Sequence, residues 1–525
     1  MNGLNLIGNE YAEGNTSAFK AINPLTGEEL EGEFFPAQQT HVDKALSLAA
    51  KAFTAYKNID KDRKAAFLRA IANEILALGD ELIERTCAES GLPVGRIQGE
   101  RGRTVGQLNL FADLVAEGSW VDAIIDSAAP ERQPMPKPDT RRMLVAMGPV
   151  VVFGASNFPL AFSVAGGDTA SALASGCPVV VKAHSAHPGT SALVGSAIQK
   201  AAIATGMPEG VFSMLFDSGY EIGELLVKHP KTKAVTFTGS FKGGMALTKI
   251  ANERAEPIPV FAEMGSINPV ILLPEALVAR AEKIAEQYAV SITGSAGQLC
   301  TQPGLLLGIT SPELTLFKET LADKVAEIAS STMLTPGICK NFQSLSSGML
   351  EETEVTLVAK SSKTAEGAQN QGLATIAEVS AKTFLANPKL KEEVFGPWSL
   401  LVVAENAAEL EAVLEHVGGQ LTLTVMAEDN ELVIYKSLLD KAEDITGRIL
   451  LNGVPTGVEV CASMQHGGPF PATNDSRFTS VGSTAIHRFV RPLTWQNWDK
   501  KLLPPALQDG NPLNIWRLVD NLMTK

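Results

Sequence analysis

The chain reads as an α/β protein built on a parallel sheet. Three observations predict this. Short apolar runs such as Val150-Val151-Val152-Phe153 and Pro178-Val179-Val180-Val181-Lys182 are continuous, not alternating, as strands covered on both faces are. Helix-like stretches separate successive runs: an Ala-rich segment to Ser175, and another from about Gly189 to Gly206-Met207-Pro208. Turn-forming residues punctuate each change, beginning with Gly154-Ala155-Ser156-Asn157-Phe158-Pro159.

Further strands are predicted at Val211 to Phe216, Ala234 to Phe237 and Pro259 to Ala262. Before them, Asn23-Pro24-Leu25-Thr26-Gly27-Glu28 forms a turn. Phe67, Leu68, Ile71, Ile75, Leu78 and Leu82 keep helical spacing in a long helical region that Gly91-Leu92-Pro93 ends. Pro130, Pro134, Pro136 and Pro138 mark an extended surface arm. A second α/β region spans about Met264 to Pro455, and a tail with Trp495, Trp498 and Trp516 is rich enough in large apolar residues to dock elsewhere.

The 525 residues carry a net charge of −14, which argues against a nucleic-acid groove or an anionic membrane surface as partner. The most apolar segment, Met143 to Phe162, is too often broken by Gly and Pro to span a membrane. Met1-Asn2-Gly3-Leu4-Asn5 lacks the features of a secretion signal. The five cysteines are scattered, with no metal-ligand spacing. A cytoplasmic setting and no metal are expected.

In an open parallel sheet, ligands gather beyond the carboxyl ends of the strands. That rule selects Asn157, Lys182, Thr238-Gly239-Ser240 and Glu263. Asn157 is either a turn former or an amide donor to an oxyanion. Glu263 is a carboxylate that would be costly to bury without a purpose, or else a helix cap or an ion-pair partner. Lys182 either snorkels to the surface or meets a ligand. Thr238-Gly239-Ser240 is an ordinary turn or a phosphate cradle. In the second region, apolar residues at Leu277, Ala281, Ile284, Ala285, Tyr288 and Ile292 outline a helix, and Gly294 and Gly297 break it just before Cys300. Most cysteines so placed are inert, but this one is set on a turn where a thiolate can be offered to a ligand.

These pieces together resemble the aldehyde dehydrogenase superfamily, over nearly the whole chain. The motifs that carry the resemblance are Gly154 to Pro159, Lys182, Phe237-Thr238-Gly239-Ser240, Glu263-Met264-Gly265, Gly297-Gln298-Leu299-Cys300 and Glu393-Val394-Phe395-Gly396-Pro397. The resemblance implies a Rossmann-like cofactor domain (1–129 and 149–262), an α/β catalytic domain (263–460) and a small β oligomerisation arm (130–148 and 461–525). It implies Cys300 as nucleophile, Asn157 with the Cys300 N–H as oxyanion donors, and Glu263 as the base that activates water. Lys182, Ser185, Gly239, Ser240, Glu393 and Phe395 would hold a nicotinamide cofactor. A homodimer or a dimer of dimers is expected.

Many NAD-preferring members carry Glu three residues after the lysine. Ser185 stands there here, and a hydroxyl beside Lys182 would accept the 2′-phosphate that a carboxylate repels. NADP is therefore expected, with NAD as a second cofactor. Gln465-His466-Gly467-Gly468-Pro469-Phe470-Pro471, with the Pro-rich tail, resembles a branch that acts on α-ketoglutaric semialdehyde or on long-chain aldehydes. The semialdehyde is the favoured substrate. His466 is either a proton-transfer group beside the substrate or a structural residue in a Gly-Pro turn. Arg103, Arg477 and Gln298 are candidates for the distal carboxylate. The rivals are a fatty-aldehyde dehydrogenase, a CoA-acylating enzyme, which Glu263 disfavours, and a catalytically silent scaffold of the same fold.

Overall fold

The computed structural model describes residues 2–14, 17–364 and 366–525. A seven-stranded sheet forms the first half. Its centre is Val150–Phe153, paired in parallel with Val179–Lys182 on one side and Ala234–Thr238 on the other. Phe212–Leu215 and Val260–Glu263 extend it outward, also in parallel. Chain direction around the sheet reverses at Val150–Phe153, so a crevice opens between the carboxyl ends of that strand and Ala234–Thr238.

The edge holds a departure from the sequence reading. Asn5–Ile7 adds antiparallel to Phe212–Leu215, and Glu10–Ala12 folds back on it. Three residues per strand are too few for a periodic signal.

The helical region that ends at Gly91 consists of two helices, Lys61–Ala77 and Gly79–Ser90, divided where Gly79 takes φ +58°. A third helix, Val94–Glu117, was not legible, because Gly95, Gly99, Gly102 and Gly106 dilute its pattern.

A second seven-stranded sheet forms the other half, with Leu305–Ile309 and Pro269–Leu272 at its centre. Only the edge strand Thr356–Lys360 is antiparallel. Two continuous apolar clusters cover its faces.

A third, five-stranded sheet joins Val490–Gln496 to Thr140–Ala146, then Ile124–Asp126, Arg517–Val519 and Leu522–Thr524. Ile124–Asp126 belongs to this sheet. Residues 464–480 lie outside it, and Thr473 bridges to Glu263 at the edge of the first sheet. The tail strands Val490–Gln496 and Arg517–Val519 pair within this sheet and Trp495 packs in its apolar cluster, while Trp498 and Trp516 stay half exposed.

Among the described residues, no helix is long and apolar enough to cross a membrane.

Candidate active site

The Cys300 turn is fixed by backbone geometry. After the helix Pro274–Thr293, residues Ser295, Ala296 and Gly297 take φ of 52°, 54° and 64°. Gly297 lies against the Gly396–Pro397 peptide, where a Cβ would come within 2.3 Å of the Gly396 carbonyl. Only glycine fits that approach. The turn is thereby locked to the Glu393–Pro397 segment.

Asn268, fully buried at φ +47°, anchors the other side. Its Nδ2 donates to the carbonyls of Cys300 and Gln302, each at 2.9 Å. The Gln420 Oε1 in turn accepts from the backbone N–H groups of Ile267 and Asn268. Neither residue was anticipated, since their partners are more than thirty positions away.

Glu263 ends its strand as a buried carboxylate. His466 Nε2 lies 3.0 Å from Glu263 Oε1 and 3.3 Å from Cys300 Sγ. Ser480 donates to Glu263 Oε2 at 2.6 Å, another contact the sequence did not reveal. Burial pushes the Glu263 carboxyl up, but His466, Ser480 and the Cys300 thiol outweigh it and hold the carboxyl below its usual range. Burial, then the Glu263 charge, drives the Cys300 thiol well above its ordinary value, while Arg103 opposes them. The resting pair is thus a thiol beside a carboxylate. His466 occupies the site itself, with its backbone N–H held by Thr479 and its carbonyl by Ser480.

Asn157 follows the central strand and donates from Nδ2 to the Gln298 carbonyl at 3.1 Å, two residues from Cys300. Its turn is braced from below. Glu100 Oε1 accepts from the N–H groups of Leu160 and Ala161 at 2.8 and 2.9 Å, and Glu100 Oε2 binds Arg96. The Arg96 guanidinium lies 4.5 Å from the Phe158 ring centroid.

Above Cys300 a cavity of about 520 Å³ opens. Phe158, Phe162, Val290 and Val454 give it apolar walls, and Arg96, Arg103, Ser291 and Ser295 give it polar ones. Of the three candidates for a distal carboxylate, only Arg103 lines this cavity. Arg477 is an exposed residue paired with Asp475. Gln298 is buried, its side chain bonded to the Ser295 carbonyl and the Leu334 N–H.

The remaining site residues lie at the strand ends. Lys182 closes its strand with no ion pair among the described residues, and burial lowers its pKa. Ser185 follows in the next turn. Ser240 caps the helix Phe241–Asn252, accepting from Gly243 N–H, so this exposed helix start has free N–H groups and no acidic residue in its first turn. Gly239 is also exposed there, and its missing Cβ would strike the Phe237 ring. Burial pushes the Glu393 carboxyl up to about 7. It faces Gly265, where a Cβ would fall 2.3 Å from Oε2. Phe395 is half-buried two residues on. A free lysine, an uncovered helix N-terminus and a carboxyl kept clear by glycine form a cradle whose donors and acceptors fit a dinucleotide.

Cys300 and His466 line one cavity, with Glu263 bonded to His466 behind them and Asn157 bonded to the Gln298 carbonyl beside them. The chain belongs to the aldehyde dehydrogenase family, whose model matches residues 11–468. It is 51% identical over 521 residues to alpha-ketoglutaric semialdehyde dehydrogenase 2 of Azospirillum brasilense, covering 99% of both chains. It is 45% identical over 525 residues to alpha-ketoglutaric semialdehyde dehydrogenase of Acinetobacter baylyi, covering 100% of this chain and 99% of that one. Betaine aldehyde dehydrogenase from Staphylococcus aureus, solved with NAD+, shares the fold at TM-score 0.80 and 19% identity, over 94% of this chain and 95% of that one.

Proposed function

We propose that this enzyme oxidises α-ketoglutaric semialdehyde (2,5-dioxopentanoate) to 2-oxoglutarate with NADP or NAD, through covalent catalysis by Cys300. The observation that carries the chemistry is the contact of His466 Nε2 with both Cys300 Sγ and Glu263 Oε1. The substrate choice is supported by the two full-length relatives named for that reaction.

The Cys300 thiol gives its proton to the Glu263–His466 pair as Sγ attacks the aldehyde carbon. One Asn157 N–H is engaged on Gln298, and the second, with the Cys300 N–H, holds the alkoxide. A nicotinamide cofactor would supply the acceptor for the hydride that the alkoxide carbon gives up. Lys182, Ser185 and the Gly239-Ser240 helix start would hold its adenosine and phosphate portions, and Glu393 with Phe395 its nicotinamide riboside. The pair releases the thiol's proton to solvent; Glu263 then takes a proton from water, the resulting hydroxide attacks the thioester, and Cys300 leaves as thiolate and recovers a proton from Glu263. Ser185 beside Lys182 favours a 2′-phosphate, so NADP serves at least as well as NAD. The first sheet carries the cofactor, the second carries Cys300, and the third joins subunits into a dimer or a dimer of dimers.

Steady-state assay of the semialdehyde with each cofactor tests this reading. Turnover with neither would remove it. The apolar walls Phe158, Phe162, Val290 and Val454 favour a second reading, a fatty-aldehyde dehydrogenase. A series of unbranched aldehydes of rising length separates the two: a kcat/KM that climbs past the semialdehyde's identifies the second.

A further inference from the structure

Arg103 is an arginine without a partner. It forms no hydrogen bond or ion pair among the described residues, and its Nε and Nη2 are both buried and unsatisfied. Leaving charged donors unpaired away from water is the costly arrangement in a folded protein. The acids near it are committed. Glu100, one turn earlier on the same helix, is saturated by Arg96 and two backbone N–H groups. Glu263 is held by His466 and Ser480. The guanidinium rests 5.4 Å from the Phe162 ring centroid, which fixes its plane at the cavity wall above Cys300.

The wall around it is kept open. Gly95 and Gly99, on the face of the helix that carries Arg103, have nothing within 4 Å of where a Cβ would stand, and neither have Gly294 and Gly457 across the cavity. No close approach demands glycine there, and each glycine inside a helix costs about 1 kcal/mol relative to alanine. Side chains at these positions would fill the space in front of the guanidinium. The other two arginines near Cys300 each hold an acceptor, Arg96 on Glu100 and Arg448 on the carbonyls of Pro455 and Gly457, and each leaves one buried nitrogen unpaired, where Arg103 leaves two and holds no acceptor.

We infer that Arg103 is the specificity-determining residue for the distal carboxylate, binding it while the aldehyde end of the same small molecule reaches Cys300. This rests on the semialdehyde reading above. It makes aldehyde acids the substrate class and neutral aldehydes of equal length poor substrates, since only an anion satisfies the guanidinium.

The test is a matrix of kcat/KM for α-ketoglutaric semialdehyde and for pentanal, its uncharged five-carbon counterpart, in the parent enzyme, Arg103→Met and Arg103→Lys. The parent should favour the acid. Arg103→Met should lose roughly 100-fold or more on the acid, mainly in KM, and at least tenfold less on pentanal, so that the preference for the acid collapses. Arg103→Lys should recover part of the loss, because a point charge replaces a two-pronged one. A parent with no preference for the acid overturns the semialdehyde reading itself. A parent that prefers it, with Arg103→Met keeping the preference, overturns only the role of Arg103. Equal losses on both aldehydes, with slower alkylation of Cys300 by iodoacetamide, would mean that Arg103 acts on the thiol and not on the substrate, and would also overturn the proposal.

Discussion

His466 Nε2 lies 3.0 Å from Glu263 Oε1 and 3.3 Å from Cys300 Sγ, so one ring nitrogen faces both the base and the nucleophile. A single imidazole proton cannot serve both fully. When the thiol gives up its proton, the histidine is placed to swing its hydrogen bond from carboxylate to sulfur. His466→Asn keeps a polar side chain but removes that bridge. We expect kcat to fall about 10²- to 10⁴-fold with KM little changed, checked by steady-state kinetics. Unchanged kcat would make His466 a structural residue.

The Glu263 charge raises the Cys300 pKa, after burial itself. Glu263→Gln removes that charge, so the thiolate fraction at a given pH should rise. Alkylation of Cys300 by iodoacetamide should become faster near neutral pH even as aldehyde turnover is lost. The pH profile of the alkylation rate should shift toward lower pH. Slower alkylation in the variant would mean that Glu263 activates the thiol more than it represses it.

Glu100 braces the Asn157 turn without touching the cavity chemistry, its side chain fully buried beneath Leu160 and Ala161. Glu100→Ala leaves Arg96 and two backbone N–H groups without acceptors, and a loss of about 3–5 kcal/mol is expected. The melting temperature should drop by several degrees, and the surviving folded enzyme should show reduced kcat.

Glu393 gives a stability effect with a defined sign. Its carboxyl is pushed by burial from 4.5 to about 7, so the folded protein holds that proton more tightly than the unfolded chain does. The group therefore favours folding at low pH and disfavours it as pH rises through that window. Cofactor-free Glu393→Gln should match the parent near pH 4.5 and exceed it increasingly toward pH 8, by at most about 3 kcal/mol. Denaturant melts at several pH values measure the difference.

Lys182 has no ion pair among the described residues, and Ser185 brings no negative charge near it. Ser185→Glu should repel a 2′-phosphate and raise the NAD-over-NADP ratio of kcat/KM by about tenfold or more. An unchanged ratio would place the 2′-phosphate elsewhere.

Sequence patterns carried the parallel strands and the residues that follow them, because continuous apolar runs and the turns after them are local signals. Asn157, Lys182, Ser240 and Glu263 all stand at strand ends as expected. What was not legible depends on distant pairing. Asn268, just before the strand Pro269–Leu272, braces the Cys300 turn and is itself held by Gln420, and Ser480 reaches Glu263 from 217 positions away. The helix that carries Glu100 and Arg103 was hidden by its own glycines, which keep the cavity open. Whether His466 was structural or near the chemistry rested on one contact across 166 positions that no local pattern encodes.

The mechanism turns on a covalent acyl group on Cys300 released by water that Glu263 activates. Intact-protein mass spectrometry of Glu263→Gln, mixed with the cofactor and α-ketoglutaric semialdehyde, tests it most directly. The expected result is one oxoglutaryl group per subunit, mapped to Cys300, with one equivalent of reduced cofactor and no further turnover. Reduced cofactor formed over many turnovers with no adduct, or an adduct on any other residue, would contradict it.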